Sequence, residues 1–157
     1  SEIHDLIEQY IKRGEVKDDK LIRSFDQAME KLGLNKNMLS SEMSFSSELG
    51  FGGKVDLFSK DMVIDIKTKD FTKEDNKKAK DFAFPEQTMQ LAAYAQLINE
   101  FAFNDSFKPI TRGINIFISR QDTSLILVHE WKKEEMEKAW NKFNSVLDYW
   151  KFNKGVK

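Results

Sequence analysis

The stretch Met62-Val63-Ile64-Asp65-Ile66-Lys67-Thr68 has few ways to fold other than as a strand. It is rich in β-branched residues, and its charges fall at every second position. On a strand Asp65 and Lys67 leave one face, while Ile64 and Ile66 leave the other. The preceding run Gly53-Lys54-Val55-Asp56-Leu57-Phe58 alternates in the same way, and Ser59-Lys60-Asp61 is the predicted turn between them. A one-residue slip would reverse the faces, so the hairpin must pair Val55 with Ile66 and Leu57 with Ile64. Asp56 then comes opposite Asp65, and Lys54 opposite Lys67. Like charges directly opposed in a sheet cost a few tenths to about 1 kcal/mol, and more when partly buried. A divalent cation is the expected compensation, with the neighbouring lysines assisting. Hard oxygen donors suit Mg²⁺ or Mn²⁺, bound with waters and often a substrate phosphate. Phosphodiester hydrolysis uses those parts, with an ammonium group such as that of Lys67 orienting the attacking water or helping to deprotonate it. On spacing alone, a surface hairpin with alternating charges is the commoner explanation.

The rest of the chain frames this hairpin. Ile3, Leu6, Ile7, Tyr10 and Ile11 repeat at helical spacing up to Gly14. Asp18 or Asp19 can cap a second helix with the stripe Leu21, Ile22, Phe25, Ala28, Met29 and Leu32, stopping at Gly33. Ser41–Phe45, Gly53–Phe58 and Met62–Thr68 form a predicted three-stranded meander, and the highly charged residues 69–81 are expected to be a solvated connection. Pro85 starts a helix that continues through Gln90, Tyr94 and Ile98. Ile114–Ser119 and Leu125–His129 are predicted to join the same sheet. A last helix over about 133–153 puts Met136, Trp140, Phe143, Leu147 and Trp150 on one face. The expected fold class is therefore α/β, a central mixed β-sheet flanked by α-helices, in a single domain over residues 1–157. At this length one core suffices. The absence of cysteine excludes disulfides, zinc–thiolate sites and cysteine-ligated clusters, so any metal must sit on oxygen or imidazole. With no long apolar run and no signal-like start, neither a membrane span nor export is expected, and a cytoplasmic location is. The net charge of −1 argues against a generally basic DNA coater but leaves room for local lysine clusters.

Three segments in order, Gly52-Gly53-Lys54-Val55-Asp56, Asp65-Ile66-Lys67-Thr68 and Gln90-Leu91-Ala92-Ala93-Tyr94, resemble the RecB-like branch of the PD-(D/E)XK nuclease superfamily. The resemblance spans roughly residues 1–130, with an interval of nine residues between the two aspartates that is short for the branch. It implies a restriction-endonuclease-like core in which Asp56, Asp65, the Ile66 main-chain carbonyl and His4 hold Mg²⁺ or Mn²⁺. It further implies that Lys67 acts on the water, and that Gln90 and Tyr94, four apart on one helix face, act near the scissile phosphate or the DNA backbone. The branch often places a histidine ligand on an early helix, and His4 in Ser1-Glu2-Ile3-His4-Asp5-Leu6 matches it. Glu42, before the hairpin, is equally explained as a structural acceptor or an outer ligand. The Cys-free chain departs from relatives that carry an iron–sulfur cluster, which leaves compact phage-type or organelle-type exonucleases as the nearest comparison.

The resulting expectation is a Mg²⁺- or Mn²⁺-dependent deoxyribonuclease, an exonuclease on single-stranded DNA or DNA ends in replication, repair or recombination. An endonuclease or junction resolvase of the same fold is the rival among enzymes, and an inactive DNA-binding module the rival outside them. Lys69, Lys73, Lys77 and Lys78, with Lys80, can follow a nucleic-acid backbone. Phe84, with Phe71 and Phe82, can stack on unpaired bases, so that residues 69–84 would gate one strand beside the site. Gln87 at the start of the motif helix is a further candidate DNA contact, and with Glu86 it lies where a helix N-terminus can hold an anion. The alternative for this segment is a solvated loop whose phenylalanines anchor its ends to the core.

Overall fold

The structure is a computed structural model that describes residues 1–46, 52–59, 61–101 and 109–154. Two helices, α1 (Glu2–Arg13) and α2 (Asp19–Lys31), precede β1 (Ser40–Ser46), β2 (Gly52–Ser59) and β3 (Met62–Lys69). Helix α3 (Pro85–Phe101) then crosses to β4 (Arg112–Ser119), followed by β5 (Ile126–Glu130) and α4 (Lys133–Lys154). Both early helices end as their sequences dictate. The Ser1 hydroxyl caps α1 and Gly14 closes it in the left-handed conformation at φ 71°, while the Asp18 carboxylate accepts from Leu21 N at the start of α2.

The sheet order is β1-β2-β3-β4-β5. All neighbours are antiparallel except β3 and β4, whose parallel pairing is made possible by the α3 crossover. The mixed sheet flanked by helices is the architecture expected. One face carries Ile64, Ile66, Ile114, Ile116 and Ile118 against Ile3 and Ile7 of α1 and Leu21, Phe25 and Met29 of α2. The other carries Val55 and Val63 against Leu91, Leu97 and Ile98 of α3 and Met136 and Ala139 of α4. Gly113 admits this second layer, because a Cβ there would lie 2.5 Å from the Met136 sulfur. Along α4, Met136 and Leu147 are buried, whereas Val146, Tyr149 and Phe152 are exposed; the Trp150 side chain lies outside the described residues.

Two expectations need correction. The hairpin has the expected register at Leu57–Ile64, but its ladder runs only from there to Ser59–Met62. Val55 does not continue it opposite Ile66. Val55 packs on the α3 side while Leu57 and Ile66 pack on the α1–α2 side, so alternation breaks at Asp56 and β2 parts from β3 there. Lys60 of the predicted turn lies outside the described residues. The second correction concerns the charged connection. Residues 73–78 are exposed, but Phe71 is only 3% exposed; its ring lies 5.2 Å from that of Phe82, which lies 5.6 Å from Phe117 in β4. The Ser119 hydroxyl donates to the Phe71 carbonyl, and Arg120 pairs with Asp70 through two bonds of 2.8 and 2.7 Å. The start of the segment is fastened to the sheet, and Phe71 is not available to stack on a base.

Candidate active site

The parting of β2 and β3 creates the site. Past Leu57 no β2 main-chain group pairs with Ile66. Instead the Asp56 carboxylate enters the gap and accepts the Ile66 N–H at 2.8 Å. From one side of the sheet α1 brings His4, whose Nε2 lies 2.8 Å from the Ile66 carbonyl oxygen and 3.6 Å from Asp56 Oδ2. On the other side Asp65 shares a face with Val63 and Lys67. Lys67 Nζ lies 3.1 Å from Asp65 Oδ2 and donates to Gln90 Oε1 at 3.0 Å, and Gln90 Nε2 donates to the Tyr94 hydroxyl at 2.7 Å. His4, Asp56, Asp65, Ile66, Lys67, Gln90 and Tyr94, drawn from four elements, are thus joined in one network.

Gly53 admits the close approach of α3. A Cβ there would sit 3.0 Å from Tyr94 Cε1 and 3.4 Å from Leu97 Cδ1, so the tyrosine ring would have to give by a few tenths of an ångström. Gly53→Ala is expected to cost about 1–2 kcal/mol in denaturant unfolding, as overpacking of a tight contact does, and to displace the Tyr94 ring signals in NMR spectra. Unchanged Tyr94 signals would show that the contact does not position the ring.

The electrostatics are unbalanced. Asp65 is 3% exposed, and burial, with the negative charge of Asp56 next, pushes its carboxyl up to about 7 against the pull of Lys67. Burial acts upward on Asp56 as well, but hydrogen bonds from His4 and the Ile66 N–H outweigh it and hold that carboxyl below the usual range. The charge of Asp56 works against ionisation of Asp65, so the pair resists carrying two negative charges without a further positive one. His4 is raised, first by its bond to Asp56. Tyr94 is raised by burial and then by the charge of Asp65.

The donor types gathered here are those that a hard divalent cation accepts. Among the described residues no three His, Cys, Asp or Glu side chains stand in a ready-made metal cluster. The donor set is two carboxylates, the Ile66 carbonyl and an imidazole whose Nε2 now rests on that carbonyl. Without a cation Nε2 carries the proton it donates to the Ile66 carbonyl; the Ser1 hydroxyl, 2.6 Å from Nδ1, can donate or accept, so it serves that tautomer and equally the one that would free Nε2 for a cation. Beside His4, Asp56 and Ile66 is a small recess, and into it is set the buried Ser41 hydroxyl, which has no hydrogen-bond partner among the described residues. A buried unpaired hydroxyl costs about 1–3 kcal/mol, and a cation's water in this recess would satisfy it.

The candidate DNA contacts are dispersed. Lys69 follows Lys67 by two on β3 and so leaves the same face. Phe84 is 52% exposed immediately before α3. Lys73 is exposed in a short 3-10 turn. Lys77 and Lys78, by contrast, line a groove with Lys31 of α2 and Ile126–Val128 of β5, two strands away from β3. Residues 69–84 therefore do not form one gate beside the carboxylates. Gln87 uses its amide on its own chain, accepting from Phe84 N at 2.9 Å and donating to the Phe82 carbonyl at 3.0 Å, which fixes the entry to α3. The Glu42 side chain lies outside the described residues.

Asn115 was not singled out by sequence. It is fully buried on β4 in register with Asp65, donates from Nδ2 to Asp65 Oδ2 at 3.3 Å, and accepts at Oδ1 from the Trp131 indole at 2.7 Å. The available signal was a lone amide in the apolar run Gly113-Ile114-Asn115-Ile116-Phe117-Ile118. An amide in such a strand must find partners, and these lie far away in sequence.

No family model matches this chain, and no curated protein does. Among solved structures, SSO0001 is similar at a TM-score of 0.42 and 17% identity, over 92% of this chain and 74% of that one. A phage related exonuclease from Haemophilus somnus 129PT is similar at a TM-score of 0.42 and 14% identity, over 98% of this chain and 82% of that one.

Proposed function

We propose that this chain is a metal-dependent nuclease that hydrolyses DNA phosphodiester bonds, acting by preference on single strands or ends. The observation that carries the proposal is the buried Asp65 carboxyl beside the half-buried Asp56 at the break between β2 and β3, short of positive charge and with the Lys67 ammonium beside it. Asp56, Asp65, the Ile66 carbonyl and His4 would hold Mg²⁺ or Mn²⁺, which when bound supplies an acidified water and neutralises charge on the phosphate. Lys67 is held by Gln90, itself held by Tyr94, so its ammonium is fixed in direction without any substrate present. In that position it orients the attacking water and stabilises the negative charge that grows on the phosphate oxygens. Lys69, on the same face of β3, would receive the next phosphate, and exposed Phe84 at the entry to α3 would stack on an unpaired base.

End-labelled linear DNA and closed circular single strands, incubated with Mg²⁺ or Mn²⁺ and then with EDTA, test this reading. Linear DNA should be degraded, closed circles should persist, and EDTA should abolish the activity. Undiminished cleavage in EDTA would remove the metal from the reaction. Rapid cutting of closed circles would identify an endonuclease on the same site.

Among the described residues no helix is long and apolar enough to cross a membrane.

A further inference from the structure

We propose that Asn115 is a positioning residue for the metal-binding carboxylate, held in place by Trp131, so that β4 and the segment after β5 act on the site without touching substrate. The proposal rests on the nuclease reading for the metal and on independent geometry for the clamp. The Trp131 indole nitrogen can only donate, so the Asn115 oxygen must face it at 2.7 Å and the amide nitrogen must face Asp65 Oδ2. The amide cannot flip without setting two donors against each other. Asp65 Oδ2 thereby receives Asn115 from one side and Lys67, at 3.1 Å, from another, which fixes the plane of the carboxylate. Trp131 is itself pinned. Its N–H to Gly113 carbonyl bond is 2.9 Å, its side chain belongs to the α3–α4 core, and the His129 ring meets it edge-on at 4.4 Å.

Replacing a buried amide such as this by an aliphatic side chain would commonly be neutral for stability if both partners were replaced together. Stability alone therefore gives no reason for an amide there, whereas orientation of a neighbouring ligand does, and groups that orient metal ligands typically govern affinity by 10- to 100-fold.

The test combines Mn²⁺ binding, followed by electron paramagnetic resonance, with the Asn115 side-chain amide signals of the metal-free chain. Asn115→Ala should weaken Mn²⁺ binding by about 10- to 100-fold. Trp131→Phe, which keeps the ring and removes only the donor, should weaken it in the same direction and should have no further effect once Asn115 is alanine. In the metal-free parent the Asn115 amide protons should exchange slowly, and Trp131→Phe should accelerate them. Mn²⁺ affinity unchanged in Trp131→Phe, or additive losses in the double variant, would overturn the proposal even if Asn115→Ala fails to fold. Slowly exchanging amide protons in a parent chain that binds no Mn²⁺ would instead overturn the metal reading and leave the clamp standing.

Discussion

Lys67→Ala is expected to lower the rate of DNA hydrolysis by about two to four orders of magnitude, the range over which a single positioned acid–base or charge-stabilising group acts. Mn²⁺ binding should stay within a few-fold of the parent, because Lys67 is not among the proposed donors and its removal leaves both carboxylates in place. Asp65→Ala separates the roles, since it removes a donor and should weaken Mn²⁺ binding as well as the rate. Gln90→Ala should fall between the parent and Lys67→Ala. It leaves the ammonium present but releases its direction, which is set by the 3.0 Å bond to Gln90 and the 2.7 Å bond from Gln90 to Tyr94. Single-turnover cleavage at saturating metal, compared with a Mn²⁺ titration of each variant, reads the two effects apart. A near-parental rate for Lys67→Ala would show that the ammonium serves only to balance Asp65.

How much of this was legible in the sequence depended on how local each determinant is. Asp65 and Lys67 could be placed on one face because a period of two is a property of the strand itself. The helix boundaries at Gly14 and Asp18 were equally readable, since a cap needs only its own neighbours. The Asp56 geometry was not. Alternation put Val55 and Leu57 together, but the ladder ends at Leu57–Ile64 because the Asp56 carboxylate takes the Ile66 N–H and His4, from a distant helix, takes the Ile66 carbonyl. Those are competitions between remote groups, and no local pattern encodes their outcome. The same holds for the lysines of residues 69–84. Phe71 and Phe82 looked like possible base-stacking residues, yet Phe71 packs on Phe82 and Phe82 on Phe117 of the sheet, while Lys77 and Lys78 line a groove by β5. Asn115 lay in plain view within an apolar strand, but its meaning depended on a parallel pairing with β3 that requires the α3 crossover.

The stability of the metal-free chain is expected to rise as pH is lowered from about 8 toward 5, opposite to the behaviour of a protein whose carboxylates are all well paired. Asp65 titrates at about 7 in the folded chain against 3.8 for an ordinary aspartate, so between those values the folded state holds a proton that the unfolded state has lost. Stability then falls as pH rises through the window. His4 acts in the same sense: its folded value is raised, so its contribution is complete below 6.5 and is lost as pH climbs through the folded value. Asp56 opposes both only at the acid end, where its lowered carboxyl contributes stability above 3.8 that disappears as pH falls further. At 1.36 kcal/mol per unit, Asp65 alone gives a swing on the order of 3 kcal/mol, or roughly 10 °C in Tm for a chain of this size. Mn²⁺ is expected to reverse the slope, because a cation held at the proposed site would bind the deprotonated pair and stabilise it by about 2.7 kcal/mol at a hundredfold excess over Kd, increasingly so at higher pH. Calorimetric melts from pH 5 to 8, with EDTA and with Mn²⁺, test both halves. A metal-free Tm that climbs with pH across this range would mean that Asp65 is ionised without a cation, and the charge deficit on which the metal site depends would not exist.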